Sequence, residues 1–459
     1  MKYILSSNIG LRSWHLVPFA YYVKGKRNAK GLKKDEYELM KLCDGTHDIE
    51  DSELLRSLVY RDLIRPANEG EVLSSWQREL ICDNRYFPAI NWMITGKCNY
   101  NCLHCFNAAD NNLLQKEFSL EEAEKLVDEA FLCGINAFTI TGGEPMLHPG
   151  FLDIIRMIYD RGMYVEELNT NGFFLTQEIL DSMKSIGCMP LMKISFDGIG
   201  HHDWLRNREG AEKDALRAIR LCIENGFKVK VQTNVHRLNV DSMLETAIML
   251  SNMGVYEMRI IRTTEAPRWV QNAKDACLSF EEYYDSMLNL IKEYIKTDCG
   301  MEIAIWQFAR VKPKEKIYYS EAYKCPGGTY RDSIPVCKGN RGMVAVSADG
   351  NLYPCHQISG AYIQNGWFLG NVKTDGLKKH LRDGDYLRNV CATLKDLALH
   401  NETCASCKWF KHCCGGCRAI GTALTGDIFG TDSSKCLYFN GGYSDKLCEV
   451  LNDYSISYR

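Results

Sequence analysis

From about residue 88 onward the chain alternates between two kinds of stretch. Apolar helical segments end in glycine, and a run rich in β-formers follows each: FLCG–INAFTI, YDRG–MYVEEL, KSIG–CMPLMKI, IENG–FKVKVQ and SNMG–VYEMRI. Gly134, Gly162, Gly187, Gly226 and Gly254 close these helices, at the position where a left-handed residue is favoured and a Cβ would clash. The first helix opens well too, since Ser119 can cap it while Glu122 reaches back to complete a capping box. With an earlier strand at about 89–94, six strands alternate with helices, which predicts an α/β fold with a parallel sheet and right-handed crossovers. Six units are too few for a closed eight-fold barrel. A partial barrel or an open sheet is expected, with the chemistry at the C-terminal ends of the strands.

Those ends are polar or glycine-rich. Cys98 follows the first strand, Thr141-Gly142-Gly143-Glu144-Pro145 the second and Asn169-Thr170-Asn171-Gly172 the third. Phe196-Asp197-Gly198 and Thr233-Asn234 follow the next two. Five such loops on one face read as a ligand site.

Three further regions flank this central domain of residues 88–265. Residues 1–75 form a small α+β unit: a β-rich stretch at 14–23, a helical pattern at 33–42 broken by Leu42-Cys43-Asp44-Gly45-Thr46, and a second helical pattern at about 50–63. Pro18 makes its strand an edge or a bulged one. Residues 266–324 bridge to the C-terminal region with one helical pattern at 281–295, and residues 325–459 are rich in cysteine.

Composition sharpens the picture at one point. Of 459 residues, 46% are hydrophobic and 25% charged, and the formal charge is −3; these are values for packed domains, and they call for neither nucleic acid nor an anionic membrane as partner. Cysteine is the outlier, with 21 residues, eleven of them after residue 324. The opening MKYILSSNIGLRSWH lacks the apolar core of a signal peptide, and no segment has the apolar length of a membrane helix. The expectation is a cytoplasmic chain with reduced thiols, which in clusters are metal ligands or catalysts.

Cys98, Cys102 and Cys105 place three thiols within eight residues. One loop with that spacing can hold three irons of a [4Fe–4S] cube and leave the fourth open to a substrate; a zinc ion with a distant fourth ligand is the alternative. The C-x3-C-x2-C spacing after a first strand, with Gly-Gly-Glu-Pro after the second, resembles the radical S-adenosylmethionine (SAM) superfamily. The resemblance covers about residues 88–265. It implies that Cys98, Cys102 and Cys105 hold a cluster whose open iron chelates SAM, and that reductive cleavage yields a 5′-deoxyadenosyl radical. It also implies that Gly142, Gly143, Glu144 and Pro145 hold the methionine amino group through backbone carbonyls, with Ser195 and Arg206 near the carboxylate. His104 stands where the family has an aromatic and offers a flat ring to adenine, and Asn169 joins the cofactor-binding set. No catalytic acid or base is assigned.

The C-terminal cysteines, Cys337, Cys355, Cys404, Cys407, Cys413, Cys417 and Cys436, include a C-x2-C pair that alone reads as a zinc ribbon. The whole series resembles the SPASM domain, which holds two auxiliary [4Fe–4S] clusters. The resemblance implies Cys404, Cys407, Cys413 and Cys436 for one cluster and Cys337, Cys355 and Cys417 for the other. Cys325, beside a Pro-Gly-Gly turn, is the candidate fourth ligand and Cys414 its competitor. Three clusters are expected in all. Most of the remaining cysteines are expected as small core residues.

The N-terminal unit resembles a PqqD-like, winged-helix-type peptide-recognition domain. Such domains take the leader of a precursor peptide as an added strand and raise the effective concentration of its core at the active site. Together these resemblances imply a peptide maturase that receives electrons from a flavodoxin or ferredoxin and installs a thioether or carbon–carbon crosslink. Peptide epimerisation and sulfatase-type maturation are the alternatives, although His356 stands where the sulfatase-maturing branch has an aspartate base. A zinc-binding interaction module is the alternative from another class.

Overall fold

The computed structural model describes residues 1–105, 116–263, 267–325 and 329–451. Its centre is one eleven-stranded sheet. Six strands, β8 (Ala89–Met93), β9 (Ala137–Thr141), β10 (Tyr164–Thr170), β11 (Leu191–Ser195), β12 (Val229–Val235) and β13 (Glu257–Arg262), lie side by side in sequence order, all parallel. These are the six expected α/β units. All five helix-closing glycines have positive φ, from 71° to 88°, and the Ser119–Glu122 capping box is formed.

The sheet runs further than the sequence pattern indicated. In the bridging region, β14 (Glu302–Ile305) adds parallel to β13, and β15 (Ala309–Lys312) and β16 (Ile317–Ser320) follow antiparallel. At the opposite edge β17 (Val344–Val346), from the cysteine-rich region, pairs parallel with β8 and carries β18 (Leu352–Tyr353). The helix expected at 281–295 is Phe280–Tyr294.

Side chains of the central strands sort by face. Ile90, Trp92, Phe138, Ile140, Leu168, Ile194, Val231 and Ile260 pack outward against the helices in the main core. The alternate positions are polar: Asn91, Thr139, Asn169, Lys193, Gln232 and Arg259 border cavities on the other side. A parallel sheet covered on both faces is normally apolar throughout, so this polar inner row marks a space meant for something other than core.

The N-terminal unit has a core of its own, built on Leu11, Tyr37, Met40, Leu55 and Leu58. Strand β1 (Lys2–Leu5) lies between β5 (Asp44–Asp48) and β6 (Ile64–Pro66), while β2 (Ile9–Trp14) and β3 (Val17–Val23) pair with β7 (Leu80–Cys82) and β4 (Lys30–Gly31) respectively. Residues 34–42 and 53–60 are helical. Where the sequence showed a break at 42–46, the chain turns directly into β5. Pro18 falls in a bulged stretch of the β2–β3 ladder. Because β7 joins β2, this sheet continues past residue 75. The unit docks on the barrel through Trp14 Nε1, 3.0 Å from Cys133 O, and Tyr22 OH, 2.9 Å from Gly134 O.

Candidate active site

The cysteine loop 98–105 leaves the C-terminal end of β8 and is gripped by its neighbours. The Gly143 N–H donates to Thr95 O (2.9 Å) and the Glu144 N–H to Lys97 O (2.8 Å). Both contacts need glycine, because a Cβ on Gly142 would lie 2.5 Å from Thr95 O and one on Gly143 2.3 Å from Lys97 O. From the next loop, Asn171 Nδ2 donates to Asn99 Oδ1 at 2.8 Å. The Leu103 N–H donates to Leu205 O at 2.9 Å.

Glu144 is fully buried and accepts hydrogen bonds from Thr170 Oγ1 (2.9 Å) and the Asn171 amide (2.8 Å). Burial pushes its carboxyl up to about 7 despite those bonds. Its side chain locks two loops together, and neither it nor Pro145 borders the cavity, whereas Gly142 and Gly143 do.

That cavity, of about 380 Å³, is lined by Cys98, Cys102, His104, Cys105, Ser195 and Arg206 among others. Asn169 lines it too, and its Oδ1 is buried without a partner, as is Gln232 Oε1. Arg206 is positioned by a buried carboxylate: its Nε donates to Asp197 Oδ2 at 2.7 Å, and its Nη1 lies 3.8 Å from Cys102 Sγ. Burial alone would raise Asp197, but Arg206 and His202 outweigh it and hold the carboxyl well below the usual range. Asp197 also accepts from the Asn234 amide (2.9 Å), and Asn234 Nδ2 donates to His104 Nε2 (3.1 Å). The polar loops after β8, β9, β10, β11 and β12 thus converge as expected.

A second cavity of about 650 Å³ adjoins the first and shares Asn91, Lys193, Arg259, Cys355 and Gln357 with it. Cys325, Cys337, Cys355, Cys414 and Cys417 line it, and Cys325 Sγ and Cys414 Sγ are 3.1 Å apart. The Pro-Gly-Gly turn after Cys325 lies outside the described residues. Cys404, Cys407, Cys413 and Cys436 make a separate neighbourhood, each within electrostatic reach of others in the set. The turn between the two sets, 414–416, is left-handed at all three residues. It sends Cys413 to one set and Cys417 to the other. Asp432 holds this turn, accepting from the Cys417 amide at 2.7 Å, and caps the helix that carries Cys436. Among the described residues, no three His, Cys, Asp or Glu side chains close on a point suited to a single ion.

The donor set fits the implied groups. Three thiols lie beside a cradle that a Cβ would fill, with unpartnered acceptors facing it, and two further cysteine sets stand next to one another. The comparisons agree. Residues 92–250 match the radical SAM superfamily and residues 337–408 the SPASM iron–sulfur cluster-binding domain. The chain carries a radical SAM domain and a SPASM domain. By these matches it is a radical SAM enzyme, of a family that binds SAM and a [4Fe–4S] cluster, with a SPASM domain that binds additional iron–sulfur clusters. An AdoMet-dependent heme synthase of Methanosarcina barkeri is 26% identical over 77% of this chain and 97% of its own. A PqqA peptide cyclase of Bradyrhizobium diazoefficiens is 22% identical over 75% and 84%. The crystal structure of Streptococcus suis SuiB bound to its precursor peptide SuiA superposes with a TM-score of 0.64 at 12% identity, over 95% of this chain and 99% of that one. No helix among the described residues is long and apolar enough to cross a membrane.

Reading the sequence missed the pairing of Asp197 with Arg206, the Asn99–Asn171 clamp and the inner residues Lys193 and Arg259. Alternation of polar and apolar residues within strands that parallel pairing should bury on both faces was the available signal.

Proposed function

We propose that this radical SAM/SPASM chain modifies a ribosomally made peptide, holding three [4Fe–4S] clusters and forming a thioether or carbon–carbon crosslink. The observation that carries the reading is coverage. The SuiB fold, solved with its precursor peptide, spans 95% of this chain, so most of the N-terminal unit has a counterpart there, whereas the heme synthase and the PqqA cyclase, matched by sequence, each cover about three quarters. The N-terminal unit can receive such a peptide, since its strands β5 and β6 each leave one side open to an added strand.

Cys98, Cys102 and Cys105 hold the first cluster. Cys404, Cys407, Cys413 and Cys436 hold one auxiliary cluster, and Cys325, Cys337, Cys355 and Cys417 the other. When bound, the first cluster and SAM supply a hydrogen-abstracting carbon radical. The chain's own task is placement. Gly142 and Gly143 present backbone to the methionine amino group, Ser195 and Arg206 meet its carboxylate, and His104 offers its ring to adenine. Glu144 and Asp197 act at one remove, fixing the loops that carry these groups. A flavodoxin or ferredoxin supplies electrons.

The test is co-expression with a precursor peptide encoded beside this gene, followed by mass spectrometry. Loss of two hydrogens per bond, abolished by Cys98→Ala, is the expected result. A second reading, a heme-related substrate, is favoured by the M. barkeri relative. Anaerobic turnover of a porphyrin with the peptide untouched would replace the first reading with the second.

A further inference from the structure

The inner row of the barrel contains an imbalance. Lys193 is 3.1 Å from Glu167, and Lys230 is 2.6 Å from Glu257. Glu257 is shared with Arg310 at 3.3 Å. These pairs use the inner carboxylates. Arg259, two residues beyond Glu257 on β13 and half-buried, makes no hydrogen bond or ion pair among the described residues. Its register partners are Gln232 on β12 and Ala304 on β14, and neither is a carboxylate. It lines both the cavity of the first cysteine loop and the cavity of the Cys337–Cys355–Cys417 set.

The surroundings of Arg259 are also unfinished. Asn91 Oδ1, Asn169 Oδ1 and Gln232 Oε1 are buried without partners on the same inner face. An amide can present either its oxygen or its nitrogen, so these three side chains can receive N–H groups or donate to carbonyls. The carboxylate its charge reaches, Glu167, is already paired with Lys193, and a half-buried guanidinium with no carboxylate in hydrogen-bonding contact is under-satisfied. Its planar fork matches a carboxylate through two parallel hydrogen bonds.

We propose that Arg259 is a specificity-determining residue that pairs with a carboxylate of the substrate, holding it between the two cysteine-lined cavities while the neighbouring amides take its polar backbone or ring edges. This rests on the reading of the site as a radical SAM substrate chamber and names the chemistry its substrate must carry. Two sources present that chemistry: an aspartate or glutamate in the core of a peptide, and the carboxylate arm of a porphyrin.

The experiment uses the full-length, cluster-loaded protein, kept anaerobic, and measures equilibrium binding by calorimetry. The probes are the blocked tripeptide Gly-Glu-Gly, its Gly-Gln-Gly counterpart, coproporphyrin III and SAM. Wild type, Arg259→Gln and Arg259→Lys are compared, with thermal melts to show that each is folded. The expected result is that one carboxylate probe binds about tenfold more weakly to Arg259→Gln, with partial recovery in Arg259→Lys and no change for Gly-Gln-Gly. Dependence carried by the glutamate peptide supports the proposal with a peptide source. Dependence carried by the porphyrin alone supports the carboxylate contact and overturns the peptide reading above. Equal affinities of folded wild type and variants for both carboxylate probes overturn the proposal. So does a loss confined to SAM, whose own carboxylate would then be the anion Arg259 meets.

Discussion

Substituting Gly143 by alanine tests whether the cysteine loop is placed by close packing of backbone on backbone. The added Cβ would lie 2.3 Å from Lys97 O and 2.5 Å from Gly96 O. An ordinary carbon–oxygen contact is about 3.3 Å, so the loop leading into Cys98 must withdraw by about 1 Å. It cannot withdraw freely, because the Gly143 and Glu144 amides are bonded to Thr95 O and Lys97 O. Overpacking of this kind costs about 1–3 kcal/mol of stability. The effect on chemistry should be larger, since a misplacement of about 1 Å costs roughly a hundredfold in rate. The assay is reductive cleavage of SAM to 5′-deoxyadenosine by anaerobically reconstituted protein, run beside iron content and a thermal melt. Gly187→Ala is the control. Its φ is 83° but a Cβ there meets nothing within 4 Å, so it should cost roughly 1 kcal/mol and leave cleavage intact. A Gly143→Ala protein that is fully loaded with iron and cleaves SAM at the wild-type rate would refute the account of how this loop is held.

Three other outcomes are expected. Cys325→Ala alone should keep its full iron, because Cys414 Sγ is 3.1 Å from Cys325 Sγ and can take over, whereas Cys325→Ala with Cys414→Ala should lose about four irons; loss in the single variant would show that Cys414 does not substitute. The buried Glu144 carboxyl, raised from 4.5 to about 7, binds more protons folded than unfolded between those values, so its contribution to stability falls as pH rises through that window. Urea unfolding should therefore show the advantage of Glu144→Gln over wild type growing with pH, by up to about 3 kcal/mol, and a pH-independent difference would contradict this. Asp197→Asn leaves Arg206 buried without its counter-charge and should destabilise by about 3–5 kcal/mol, read as a lowered melting temperature; an unchanged melt would mean the pair is not what fixes Arg206.

Much of this architecture was legible because it depends on local spacing. The helix-closing glycines, the capping box and the C-x3-C-x2-C loop each need only a few consecutive residues, and each stands where the sequence placed it. Cys337, Cys355 and Cys417, grouped by the SPASM resemblance, line one cavity, and both Cys325 and Cys414 line it with them. Elements that depend on distant partners were not legible. Strand β17 is three residues long and becomes a strand by pairing with β8, some 250 residues earlier. Strands β14 to β16 are four residues each and carry no pattern longer than two alternations. The signature loop suggested a backbone role for Glu144, and nothing in the sequence signalled that its carboxylate also ties this loop to Thr170 and Asn171. Arg259 looked like one charged residue among many, and only the register shows that the nearby pairs leave it out.

The pairing of β17 with β8 has a consequence for how this protein could be dismantled. Val344–Val346 covers the outer edge of the strand that launches the first cysteine loop. A chain cut before this segment would expose β8 as an open edge of parallel sheet, with unpaired amides and carbonyls flanked by Ile90 and Trp92. Bare edges of that kind recruit strands from other molecules. The cysteine-rich region therefore also covers the edge of the catalytic half. Exchanging it between proteins would require carrying that edge strand across with its cysteines.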